Sequence, residues 1–172
     1  MRTKLIARQI FTAFTIAVLA LPSGAAVYNN GSKTATFDVT LKIVADCSIA
    51  ANALDFGQAQ GVLSTAVKVT SNINVTCSNS TPYNVGLSAG TGAGSSGTTR
   101  YMSGTGGNTA TVQYNLYQSA GGTQWGTTQG TDVMAGTGNG QAQALTVYGE
   151  IPVQTTPAPD QYKSTITATV YF

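Results

Sequence analysis

The chain contains no histidine, only two cysteines, and a charged fraction of 8% over 172 residues. Without histidine, the commonest general base and the commonest metal ligand are both missing. Cys47 and Cys77 have no third cysteine to compete with them. Their separation is unlike a CxxC redox pair or a zinc ligand set, so in an exported chain they are expected to form one disulfide. No Asp-x-Asp calcium loop occurs, and the glycine-rich stretches lack the following helix and lysine that would make a phosphate cradle. The six carboxylates, Asp38, Asp46, Asp55, Asp132, Glu150 and Asp160, are scattered and read as solvated charges and turn residues rather than as an acid/base pair. No catalytic residue, metal ligand or cofactor site is assigned, and an enzyme is the lowest-ranked reading.

Long apolar runs are also scarce. The one that exists, Ile10 to Leu21, follows Arg2, Lys4 and Arg8 and ends at Pro22, Ser23, Gly24, Ala25 and Ala26. A run of about a dozen residues falls short of the roughly 20 that a membrane-spanning helix needs. With small residues behind it, the pattern is that of a secretory signal peptide over residues 1–26, cleaved near Ala25 or Ala26. Three of the eight basic residues leave with it and all six acids stay, so the mature chain is close to neutral. A basic surface for nucleic acid is therefore excluded. The exterior must be built from Thr, Ser, Asn, Gln and Gly, which suits a protein that packs against copies of itself.

What the chain does have is period two. Ala35, Phe37, Val39, Leu41 and Ile43 alternate with Thr34, Thr36, Asp38, Thr40 and Lys42, predicting a strand with one apolar face. Similar runs are Val67 to Cys77, Tyr83 to Leu87, Val112 to Leu116 with Tyr117 on the other face, Leu145 to Ile151 and Ile166 to Phe172, the last placing Phe172 on the buried face. Short segments at Leu54 to Phe56 and Arg100 to Met102 are further strand candidates. Gly86 to Gly107 and Thr127 to Gly140 read as long surface loops. Many short strands, glycine-rich turns, no helical stripe and one disulfide predict an antiparallel sandwich of immunoglobulin type. Tyr83, Tyr114, Tyr117, Tyr148 and Trp125 lie in or near strands. They are expected to complete the core, with a sugar-stacking surface as the alternative.

An ordered set of short segments is more specific than any one of them. It runs Phe37-Asp38-Val39-Thr40-Leu41-Lys42-Ile43, Cys47-Ser48-Ile49, Leu54-Asp55-Phe56-Gly57 and Ile73-Asn74-Val75-Thr76-Cys77, then Pro82 to Leu87, Arg100-Tyr101-Met102 and Tyr114 to Tyr117. Trp125-Gly126, Val147 to Pro152 and Tyr162 to Phe172 close it. Together these resemble the spore coat protein U domain family, which includes subunits of archaic chaperone/usher (Csu-type) pili. The resemblance implies an incomplete immunoglobulin-like antiparallel β-sandwich completed by a donated strand. It implies residues 27–43 as an N-terminal segment with the donor strand, overlapping the first strand, and 44–172 as the sandwich domain. By the same likeness, Phe37, Val39, Leu41 and Ile43 are the plug residues. The implied partners are other pilus subunits, a periplasmic chaperone and an outer-membrane usher, with export through the periplasm to an extracellular pilus. A structural pilus subunit for attachment and biofilm formation is the leading expectation. A spore or cell-surface coat protein is the alternative, and a tip adhesin, which would be expected to carry a second domain, ranks below both.

Overall fold

The computed structural model describes residues 31–58 and 63–172, so the signal-peptide expectation lies outside the described residues. The chain divides into two units, Met1–Leu41 and Lys42–Phe172. In the first, described residues 31–41 contain no strand, and Phe37, Val39 and Leu41 are 84–86% exposed. This corrects the strand expected over Ala35 to Ile43. A strand is defined by the neighbour that takes its backbone hydrogen bonds, and periodicity alone supplies none.

The second unit is all β. Its strands are β1 (Cys47–Ala51), β2 (Val67–Cys77), β3 (Pro82–Leu87), β4 (Arg100–Gly104), β5 (Thr111–Tyr117), β6 (Met134–Thr137), β7 (Ala142–Ile151), β8 (Tyr162–Lys163) and β9 (Ala168–Tyr171). They form a six-stranded sheet, β1-β2-β7-β5-β4-β8, and a three-stranded sheet, β6-β3-β9, with every pairing antiparallel.

The central pair is β2 and β7, and its register follows from matching apolar faces. Val67 lies opposite Ile151, Ser71 opposite Val147 and Ile73 opposite Leu145, so a slip of one residue would turn both apolar faces to water. On β5, Val112, Tyr114 and Leu116 point into the same core. Across the sandwich Tyr83, Val85 and Leu87 of β3 meet them. Trp125, wholly buried, links the layers: its backbone N–H donates to Leu116 O at 2.8 Å and its indole Nε1–H to Val85 O at 2.7 Å. Burying so large an indole is favourable only because that N–H finds a partner.

Leu54 to Phe56 forms no strand, yet both apolar side chains are half-buried against the core. Glycine makes this possible. A Cβ at Gly149 on β7 would stand 2.9 Å from both Leu54 methyls and 3.1 Å from Phe56 Cζ. Gly149→Val is therefore expected to lift this segment off the sheet and lower stability by about 1–3 kcal/mol, read as a shifted denaturant midpoint; an unchanged midpoint would rule out close packing here.

The two expected loops each contain a strand, β4 in the first and β6 in the second. Phe172 is also placed differently from the expectation. Pairing stops at Tyr171, and Phe172 is 60% exposed, because no described element lies opposite it.

In an immunoglobulin sandwich of the constant type, strands A, B, E and D make one sheet and C, F and G the other. Here β1, β2, β7 and β5 stand in the order A, B, E, D, and β3 with β9 take the places of C and F. Among the described residues no strand occupies the G position beside β9. The fold is an immunoglobulin-like sandwich with that place open.

Candidate assembly site

The vacant position is built from two chain segments. From Tyr162 to Tyr171 the chain is held along one side only. β8 pairs with β4 and β9 with β3. Between them, Thr165 N–H donates to Thr91 Oγ1 and Thr167 N–H to Ser88 Oγ, both at 2.9 Å, and Ser88 N–H donates to Thr167 O at 3.0 Å. The other side of this stretch has no strand partner among the described residues. Among the described residues β1 likewise pairs only with β2, on one side.

These free edges run beside each other, with Cα pairs of β1 and β9 within 8 Å. A strand pairing with both at once needs two inter-strand spacings, about 9.6 Å. The edges must part slightly to admit one.

The segment after β1, from Leu54 to Gln58, and the segment leading into β8, from Thr156 to Tyr162, border a cleft of about 750 Å³. Leu54, Phe56, Met102 and Tyr162 line it, and Val112 and Ile151 of the core form its floor. Core side chains are thus reached from solvent through this cleft. Asp55 and Asp160 lie at the cleft. Both carboxylates are occupied locally: Asp55 accepts from Gly57 N–H at 2.8 Å, and Asp160 from Gly106 N–H and Asn108 Nδ2. β-Strand addition uses an unpaired strand edge, with main-chain bonds giving affinity and neighbouring pockets taking alternate side chains.

Cys47 and Cys77 are joined in a disulfide that ties the start of β1 to the end of β2, where the two are opposite in register. The four apolar side chains expected to act as a plug are exposed: Phe37 86%, Val39 86%, Leu41 84% and Ile43 80%. β1 begins beyond them, at Cys47. The cleft was not visible as a site in the sequence, since Leu54, Met102 and Tyr162 are brought together from distant segments. Its one local trace was the spacing of Leu54 and Phe56.

The wall of the sandwich behind this edge depends on a buried cation. Arg100 is 0% exposed, and its guanidinium donates to the carbonyls of Leu87, Ser88, Thr98 and Trp125. Burial lowers its pKa, with Tyr114 and Asp132 acting in the opposite direction; arginine stays charged regardless. Burial raises the Tyr114 hydroxyl, against the opposing influence of Ser164 and Arg100.

The remaining acids form turns and one ion pair. Asp132 accepts from Thr128 N–H at 2.6 Å, and Glu150 meets Lys68 at 3.6 Å. No group of three or more His, Cys, Asp or Glu able to hold a metal occurs among the described residues.

Comparison with known proteins gives three findings. A family model described as the Spore Coat Protein U domain matches residues 33–169. The fold is similar to a chain in the CsuC-CsuE chaperone-tip adhesion subunit pre-assembly complex from archaic chaperone-usher Csu pili of Acinetobacter baumannii. That likeness has 24% identity and a TM-score of 0.54, and covers 76% of this chain but only 40% of that one. A looser likeness, to the E. coli Hda pilus minor tip subunit HdaB, has 16% identity and a TM-score of 0.39, covering 73% of this chain and 79% of that one. No curated protein sequence matches.

Proposed function

We propose that this chain, which belongs to the Spore Coat Protein U domain family, is a structural subunit of an archaic chaperone/usher pilus that polymerises by donor-strand complementation. Residues 27–43 act as the donor segment and 44–172 as the acceptor domain. The observation that carries this reading is an immunoglobulin-like sandwich with an unpaired strand edge and a cleft that reaches its core, in a chain that also bears four exposed apolar side chains at period two.

Each half answers a need of the other. The open edge leaves backbone groups unpaired and core side chains wet, which invites aggregation. Phe37, Val39, Leu41 and Ile43 of a second copy bring alternate side chains to the cleft and a backbone to the free edge. Burying four such side chains is worth roughly 6–12 kcal/mol gross, before the entropy of ordering the segment is subtracted. The contact is head-to-tail and does not close on itself, so repetition produces a fibre.

The remaining roles follow from that physics. A periplasmic chaperone covers the open edge before assembly, and an outer-membrane usher exchanges it for the next subunit's donor segment. The product is an extracellular pilus serving surface attachment and biofilm formation. A spore or cell-surface coat of the same subunits is the second reading, favoured by the family's own description.

Removing the mature N-terminus through Lys42 is expected to leave a subunit that still co-purifies with its chaperone but forms no fibre. Val39→Asp with Leu41→Asp should do the same, by replacing apolar burial with unpaired buried charge. Electron microscopy and heat-resistant ladders on gels read the outcome. Unchanged fibres from either variant would sink the reading, and an ordered layer in place of thin fibres would favour the coat.

A further inference from the structure

Two of the five aromatic residues expected in the core are not in it. Tyr83, Tyr114 and Trp125 are buried, whereas Tyr117 and Tyr148 stand half-buried on the outer face of the six-stranded sheet. They lie opposite each other in register, Tyr117 on β5 and Tyr148 on β7, and Thr70 of β2 continues the row. The neighbouring row carries Lys68 opposite Glu150, joined as an ion pair at 3.6 Å, and then Asn115.

Tyr117, Tyr148, Thr70, Lys68 and Glu150 border a depression of about 250 Å³. Its rim is the turn after β5, where Ala120 and Gly121 are exposed and Gly121 has φ 67°. Small residues there leave the mouth open.

The geometry points to a binding site for a neutral hexopyranose unit of a glycan. The volume suits one sugar ring. Paired tyrosines offer flat apolar surface to the C–H face of a pyranose, with phenolic hydroxyls at the edge. Lys68 and Glu150 set a cationic donor beside an anionic acceptor, the arrangement that adjacent ring hydroxyls satisfy, each hydroxyl being both donor and acceptor. The local charges cancel, so neither an anionic nor a cationic sugar is favoured. Such a shallow site binds weakly alone, and repetition along an assembly raises its avidity.

The test titrates the methyl α-glycosides of glucose, galactose and mannose into the ¹⁵N-labelled, unpolymerised mature chain, bound to its chaperone if that is the soluble form. Saturable amide shifts are expected at Tyr117, Tyr148 and Lys68 for at least one of the three, with dissociation constants on the order of 1–10 mM. Tyr117→Ser and Tyr148→Ser each weaken binding at least about tenfold, while Tyr148→Phe stays within about threefold. Ala120→Arg, on the exposed rim, abolishes binding by filling the depression without disturbing the sheet, and the dispersion of the same spectra reports folding. No saturable shift with any of the three up to about 100 mM, or binding that survives both serine variants and Ala120→Arg, overturns the assignment. The readout does not depend on polymerisation, so its failure leaves the assembly reading intact.

Discussion

Arg100→Met is expected to lower the unfolding free energy by about 3–5 kcal/mol, a large part of what a domain of this size has to lose. Methionine fills much of the same volume, so the loss measures the hydrogen bonds and not a cavity. The carbonyls of Leu87 and Trp125 are buried and would have no donor left; each such orphan costs about 1–3 kcal/mol. Those of Ser88 and Thr98 are nearer the surface, where water replaces the guanidinium more easily. Arg100→Lys keeps the charge but not the fork that reaches four acceptors, and should recover less than half the loss. Denaturant unfolding of the mature chain, with slopes compared to confirm that the unfolded states match, decides the matter. A loss below about 1 kcal/mol would show that Arg100 is an incidental passenger in the core.

The second large effect is expected from Cys47→Ser combined with Cys77→Ser. The bond closes a separation of 30 residues, and releasing it restores unfolded-state entropy worth about 3.5 kcal/mol. For a domain of this length that corresponds to a fall in Tm of roughly 10–15 °C. The folded state suffers too. β1 has five residues and, among the described residues, pairs on one side only, so the bond is what keeps its first residue in register with Cys77. Thermal unfolding of the oxidised chain, the reduced chain and the double variant tests this, with the last two expected to coincide. A fall of less than about 3 °C would mean that β1 is held by pairing alone.

What could be read in the sequence was whatever depends on neighbours along the chain. Val67 to Cys77 and Leu145 to Ile151 alternate over enough positions to identify a face, and they became the long central pair β2 and β7. Strand β6, four residues with two small ones among them, and strand β8, two residues, carry no period to detect. Arg100 is the clearest miss of its kind. A single cation in a Gly, Ser and Thr stretch looks like a solvated surface residue, and only the convergence of Leu87, Thr98 and Trp125 around it shows otherwise. The same holds for Tyr117 and Tyr148. The general preference of strand aromatics for a core suggested burial, although period two already set Tyr117 opposite Val112, Tyr114 and Leu116, and alternation on β5 and β7 sends both outward. The segment from Ala35 to Ile43 is a different case. Its period is unmistakable, yet a strand exists only with a partner edge, and the partner proposed for it belongs to another molecule.

The position of the disulfide also bears on how a fibre of such subunits would carry a load. A pull on the N-terminal segment reaches the sandwich at Cys47, the first residue of an edge strand of five residues. Hydrogen bonds at a five-residue edge strand would unzip one after another under such a pull. The covalent link to Cys77 instead passes the force straight to β2, whose ten paired positions with β7 share it across the middle of the sheet. The staple makes the end of the tether mechanically continuous with the strongest part of the domain, and β1 is relieved of tension it has too few bonds to bear.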